Sequence, residues 1–148
     1  MARDAVRRDS FFRMTDTLRA TLEGAAKGLL YGSESDRPFE FVRFPEDRRS
    51  VAALSPTDVA LLIGAAGARA SEMSAARYLE QHTTSFDQAD PRNVELAPRY
   101  RALAATLRKS FPILRVFRVG EVEILVVALG NDRETGELAG LSTVAVET

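Results

Sequence analysis

ILRVFRVGEVEILVVALGNDRETGELAGLSTVAVET, residues 113–148, decides the fold. It holds three runs rich in branched and aromatic residues: ILRVFRVG, EVEILVVALG and ELAGLSTVAVE. Gly120 and the loop from Gly130 to Gly136 separate them, which is the pattern of an antiparallel meander. In the middle run Val122, Ile124, Val126 and Ala128 make one face continuously apolar, while the other starts with Glu121 and Glu123 and turns apolar at Leu125. A sheet apolar on both faces over much of its length needs cover on both sides.

The cover must come from upstream. Asp90-Pro91 could open a helix, but Pro98 would break its hydrogen bonding, so the spacing predicts regular helix over Arg99 to Ser110, with Tyr100, Leu103 and Leu107 inward. Phe111-Pro112 ends it. Nearer the start, Phe11, Met14, Leu18, Leu22, Ala25 and Leu29 recur in steps of three or four, which predicts one long helix from Asp9 to Leu30, stopped near Gly32. FEFVRF, Phe39 to Phe44, suits a strand. Ser55-Pro56-Thr57-Asp58 reads as a cap serine followed by proline at the first helical position, with helix through about Ala66. Gly67 to Asp90 is rich in Ala, Ser and Gln and weakly patterned, and Ser71 to Leu79 is compatible with a helix. Several helices and about four strands predict an α+β fold, a three-layer α/β/α sandwich around a largely antiparallel sheet, in a single domain over residues 1–148.

Composition narrows the function. With 45% apolar and 28% charged residues, the 148-residue chain is ordinary globular protein, long enough to bury a core without staples. It has no cysteine, which fits a reducing compartment. The start, MARDAVRRDSFFRMTD, lacks the apolar run of a signal peptide, and no stretch approaches the roughly 20 apolar residues of a membrane span. A cytoplasmic protein with no membrane contact is expected. A net charge of −1 provides no basic footprint, so direct binding to nucleic acid is disfavoured.

Enzyme templates fail. Without cysteine there is no thiol nucleophile, and with His82 the only histidine no zinc site of the usual Cys and His ligands can form. His82, in QHTTSFD, has no nucleophile-elbow pattern around it and reads as an ordinary surface or loop residue. GLLYGSES and GAAGA match neither a dinucleotide fingerprint nor a phosphate loop. A glycosidase pair among the carboxylates would need a defined separation and a sugar cleft, which sequence does not show. The protein is expected not to be an enzyme. In residues 130–148, however, Asp132, Glu134, Glu137 and Glu147 stand against Arg133 alone, for −3, or −4 with a terminal carboxylate. An acidic tip on a nearly neutral protein suggests a partner.

Two stretches carry a resemblance: GLLYGSESDRPFEFVRF, residues 28–44, and VFRVGEVEILVVALGNDRETGELAGLSTVAVET, residues 116–148. Both resemble the nuclease A inhibitor family, small bacterial proteins that block a metal-dependent, sugar-nonspecific DNA/RNA endonuclease of the His-Asn type. The likeness extends back through the helix to Tyr100 and is weak over residues 45–98. It implies a PR-1-like α/β/α sandwich, in agreement with the periodicity. It also implies that Thr148 coordinates the nuclease's magnesium through its hydroxyl and that Glu34, in Ser33-Glu34-Ser35, enters the active site in place of the scissile phosphate. The magnesium would be the partner's, with no cofactor held by this chain. An Asp-Trp pair makes a further contact in the family. Counting back from Tyr100 puts Asp87 and Gln88 there, so the aspartate is kept, the aromatic is missing, and Phe86 stands one residue earlier. The alternative is a diverged binding module of the same fold with no nuclease target.

Overall fold

Alternation in the C-terminal third becomes a sheet. The computed structural model of the chain describes residues 16–32, 36–84 and 91–147, with side chains throughout except at 81–84 and 91–94. In chain order the elements are α1 (Thr17–Ala26), β1 (Leu30–Tyr31), β2 (Arg37–Pro38), β3 (Glu40–Phe44), a 3-10 turn (Val51–Ala53), α2 (Pro56–Leu62), β4 (Ala70–Met73), α3 (Ala75–Thr84), α4 (Pro91–Ser110), β5 (Arg115–Val119), β6 (Glu123–Asn131) and β7 (Leu138–Val146). The expected meander is β5–β6–β7, and the whole sheet runs β3-β7-β6-β5-β4, antiparallel throughout. β1 and β2 pair as a separate two-stranded ribbon.

The period of two puts successive strand residues on opposite faces. On one face Val116, Ile124, Val126, Ala128, Leu141 and Ala145 pack with Leu22 of α1, Tyr78 of α3, and Tyr100, Leu103 and Leu107 of α4. On the other, Phe117, Val119, Val127, Leu129 and Leu138 pack with Val51, Leu54, Val59 and Ala60 around the 3-10 turn and α2. The three inward positions expected of the α4 sequence are buried.

Four expectations about elements change. The first helix ends at Ala26, not near Gly32, because Gly28 takes φ 76° and the Leu29 amide bonds back to the Ala26 carbonyl at 3.0 Å, closing the helix. The part of that prediction before Asp16, including Phe11 and Met14, lies outside the described residues. α2 has the predicted cap, with Ser55 Oγ accepting from the Asp58 amide and Asp58 accepting from the Ser55 amide, but stops at Leu62 ahead of Gly64. Ser71 to Met73, read as compatible with a helix, belongs instead to the edge strand Ala70–Met73 opposite Val116–Val119, and the helix begins only at Ala75. Finally, α4 starts at Pro91 and runs through Pro98. That proline is solvent-facing, and packing against α1 and α3 holds the helix across the missing hydrogen bond.

Arg43, on edge strand β3, fastens one corner of the molecule. Its guanidinium makes two bonds to Asp16, the N-cap of α1, at 2.6 and 3.1 Å, and one each to Asp132 at 2.9 Å and Glu137 at 2.8 Å. Burial alone would disfavour its charge. The hydrogen bonds to three carboxylates outweigh that, so the guanidinium holds its proton more tightly than usual.

Candidate functional site

The β1–β2 ribbon pairs Leu30 with Pro38 and Tyr31 with Arg37. The described chain on either side of Ser33-Glu34-Ser35 ends at Gly32 and Asp36, both exposed. A ribbon with two residues per strand has little stability of its own. Its root is therefore fixed by its surroundings. The Tyr100 hydroxyl of α4 accepts from the Leu30 amide at 2.9 Å and donates to the Leu30 carbonyl at 2.7 Å. Tyr31 stacks on Tyr78 of α3 with centroids 6.0 Å apart, and meets Phe39 edge-on at 6.1 Å. Burial pushes the Tyr78 phenol well above the ordinary tyrosine range, and Tyr31 adds to the shift. From the sheet side, Thr143 of β7 donates its hydroxyl to the Pro38 carbonyl at 2.8 Å, with the Arg37 carbonyl at 3.3 Å.

The end of β7 is fastened too. The Glu147 amide donates to the Val122 carbonyl at 3.0 Å, and the Glu147 carboxylate pairs with Arg118 of β5. Because β3 runs antiparallel to β7, with Glu40 opposite Ser142, going back along the chain from Glu40 to Arg37 means going up β7 to Thr143. The ribbon root and the end of β7 thus share one end of the sheet. Exposed Glu121, Val122 and Glu123, in and beside the β5–β6 turn, lie there as well, with Arg69 3.8 Å from Glu121. The helices point the same way. α3 leaves β4 just after Met73 and reaches the ribbon at Tyr78, while α4 passes from the ribbon at Tyr100 down to Phe111, which packs against Gly130. The flanks Thr84 and Pro91 therefore lie on the ribbon side of both helices.

The family model described as nuclease A inhibitor-like protein matches residues 16–148. The chain belongs to the nuclease A inhibitor-like family. No curated protein matches it. For a member of this family the interest lies in the four positions that the sequence resemblance singled out. Glu34, Thr148, Asp87 and Gln88 all fall outside the described residues. Their described neighbours are the ribbon root for Glu34, Glu147 for Thr148, and the ends of α3 and α4 for Asp87 and Gln88.

Among the described residues no group of three His, Cys, Asp or Glu side chains could hold a metal ion, and no helix is long and apolar enough to cross a membrane. His82, read as a surface or loop residue, lies in α3. Sequence reasoning missed the residues that fix the ribbon: Tyr31, Tyr78 and Thr143 went unmarked, and Tyr100 was marked only as inward-facing. One signal was present. Ser142-Thr143 interrupts the otherwise apolar run LAGLSTVAV, and both are buried, so each polar group needs a partner.

Proposed function

We propose that this protein inhibits a magnesium-dependent, sugar-nonspecific DNA/RNA endonuclease by capping its active site, in a three-layer α/β/α arrangement of the PR-1-like type. The observation that carries the reading is the shared end: within a chain of an inhibitor-like family, the β1–β2 ribbon root on either side of residues 33–35 and the end of β7 are fastened side by side. Core packing on both faces of the sheet supports the layered arrangement.

In this reading Thr148 contributes a hydroxyl oxygen to the nuclease's magnesium, a hard cation that takes oxygen ligands. Glu34 places a carboxylate where the scissile phosphate would sit, matching its charge without offering a bond to cut. Asp87 and Gln88 make a peripheral contact. The chain carries no chemistry of its own; it blocks the partner's. At the same end of the sheet exposed Glu123 adds negative charge beyond the Glu121–Arg69 and Glu147–Arg118 pairs, which favours approach to a cationic, metal-bearing cleft.

The test is a plasmid-cleavage assay with a magnesium-dependent sugar-nonspecific nuclease and titrated protein, tagged at one terminus or the other, at equal verified folding. Inhibition by the N-terminally tagged form and its loss with residues appended after Thr148 is the expected result. Equal potency of the two forms would mean that residue 148 does not enter an active site. No inhibition by either would turn the reading to a diverged binding module, which the missing aromatic at Gln88 would then explain.

A further inference from the structure

We infer that the Thr143 hydroxyl is a positioning group that sets the spacing between the two elements proposed to enter the nuclease, the ribbon carrying residues 33–35 and the end of β7. The inference rests on the inhibitory reading above. Thr143 is the point where the two meet. Its backbone belongs to β7, opposite Val126 in the ladder, while its side chain bonds the Pro38 carbonyl at 2.8 Å and reaches the Arg37 carbonyl at 3.3 Å. It is 3% exposed, so water does not compete for this bond. β2 is only two residues long and its ladder bonds go to β1, not to the sheet. On the sheet side, then, the Thr143 hydroxyl ties the ribbon's outgoing arm to β7. Tyr100 holds the incoming arm at Leu30. Two elements that must reach a metal and a phosphate position together bind well only if their separation is fixed beforehand; otherwise the ordering is deducted from the affinity.

Threonine offers a test that separates positioning from stability. Thr143→Val keeps the branched shape and the strand preference but removes the donor, whereas Thr143→Ser keeps the donor and removes a buried methyl. Val leaves the Pro38 carbonyl without this donor and Ser leaves a small cavity, so either substitution can lower stability. If Thr143 only supports the fold, both variants inhibit like the parent at temperatures where they are folded; if it positions the ribbon, Thr143→Val alone inhibits weakly. Expected is inhibition by Thr143→Ser close to that of the parent and a roughly tenfold weaker inhibition by Thr143→Val, the equivalent of ordering one or two further groups on binding. Melting temperatures of both variants should be measured alongside. Hydrogen exchange at the Tyr31 and Gly32 amides supplies a readout that needs no nuclease: faster in Thr143→Val, unchanged in Thr143→Ser.

The controls distinguish the two levels of the argument. A parent that leaves plasmid cleavage untouched overturns the inhibitory reading, and exchange then still decides whether the hydroxyl fixes the ribbon. A parent that inhibits, with Glu34→Gln weakened but Thr143→Val as potent as the parent, overturns the positioning role alone. So does Thr143→Val exchange no faster than the parent's.

Discussion

At Glu34 the proposed mechanism depends on one charge. Glu34→Gln keeps the size of the side chain and removes the charge that stands in for phosphate, and removing one member of a buried interfacial charge pair costs about 2 to 5 kcal/mol. Expected is a loss of inhibition of roughly 30-fold to several-thousand-fold with an unchanged melting temperature, read from parallel titration and thermal denaturation. Tyr78 supports a prediction of another kind. Its folded pKa lies above the unfolded value, so its contribution to stability is complete below the ordinary tyrosine pKa of about 10 and is lost as pH rises through the folded value. In alkali the unfolded chain ionises where the folded one resists. Unfolding midpoints should fall steeply above about pH 10, and Tyr78→Phe should flatten that fall; an equally steep fall in the variant would assign it to other groups. At this scale the sequence was uneven. Glu34 and Thr148 stood out because flanking residues matched a family, whereas Tyr31 and Tyr78 gave no signal, since a tyrosine's partner far along the chain is invisible in a periodicity.

Secondary structure was legible where a local cause determined it. The capping box of α2 was visible in Ser55-Pro56-Thr57-Asp58 because its bonds join residues three apart. Ser55→Ala should cost about 1 kcal/mol, measured by denaturant titration. The Ser55 backbone amide, more than any nearby charge, holds the Asp58 carboxyl below the usual range. A depressed carboxyl contributes stability above its unfolded pKa and loses it as pH falls through the folded one, so acid should narrow the gap between parent and Asp58→Asn below about pH 4. β4 was illegible for the opposite reason. ASEM alternates weakly, and it is a strand only because Ala70–Met73 finds β5 beside it, Glu72 being held by the Arg115 guanidinium at 2.6 Å. Pro98 misled in the same way, because tertiary packing overrides a local breaker.

At the level of the whole molecule, the metal-bridged complex proposed above should respond to chelator while the free protein does not. Removing magnesium should loosen the complex in calorimetry, and the free protein should bind magnesium no better than a generic acidic surface; a micromolar site on the free chain would contradict the model. The same scale sets a limit on change inside the core. An added Cβ at Gly130 would sit 2.2 Å from the Phe111 ring, and the ring is nearly fully buried, so it has nowhere to go. Gly130→Ala should therefore destabilise the domain by about 1 to 3 kcal/mol, as overpacking does, measured by urea unfolding.

The placing of β3 beside β7 also has a consequence in time. Glu40 pairs with Ser142, and the Arg43 cluster needs Asp132 and Glu137, so an early strand and the N-cap of α1 wait for residues synthesised near the end of the chain. Such distant pairings slow folding, because loop closure must precede the contacts that reward it. During translation β3 has no sheet partner until β7 leaves the ribosome. Its half-buried Phe41, Val42 and Phe44 are then an open strand edge, prone to mispairing until β7 arrives.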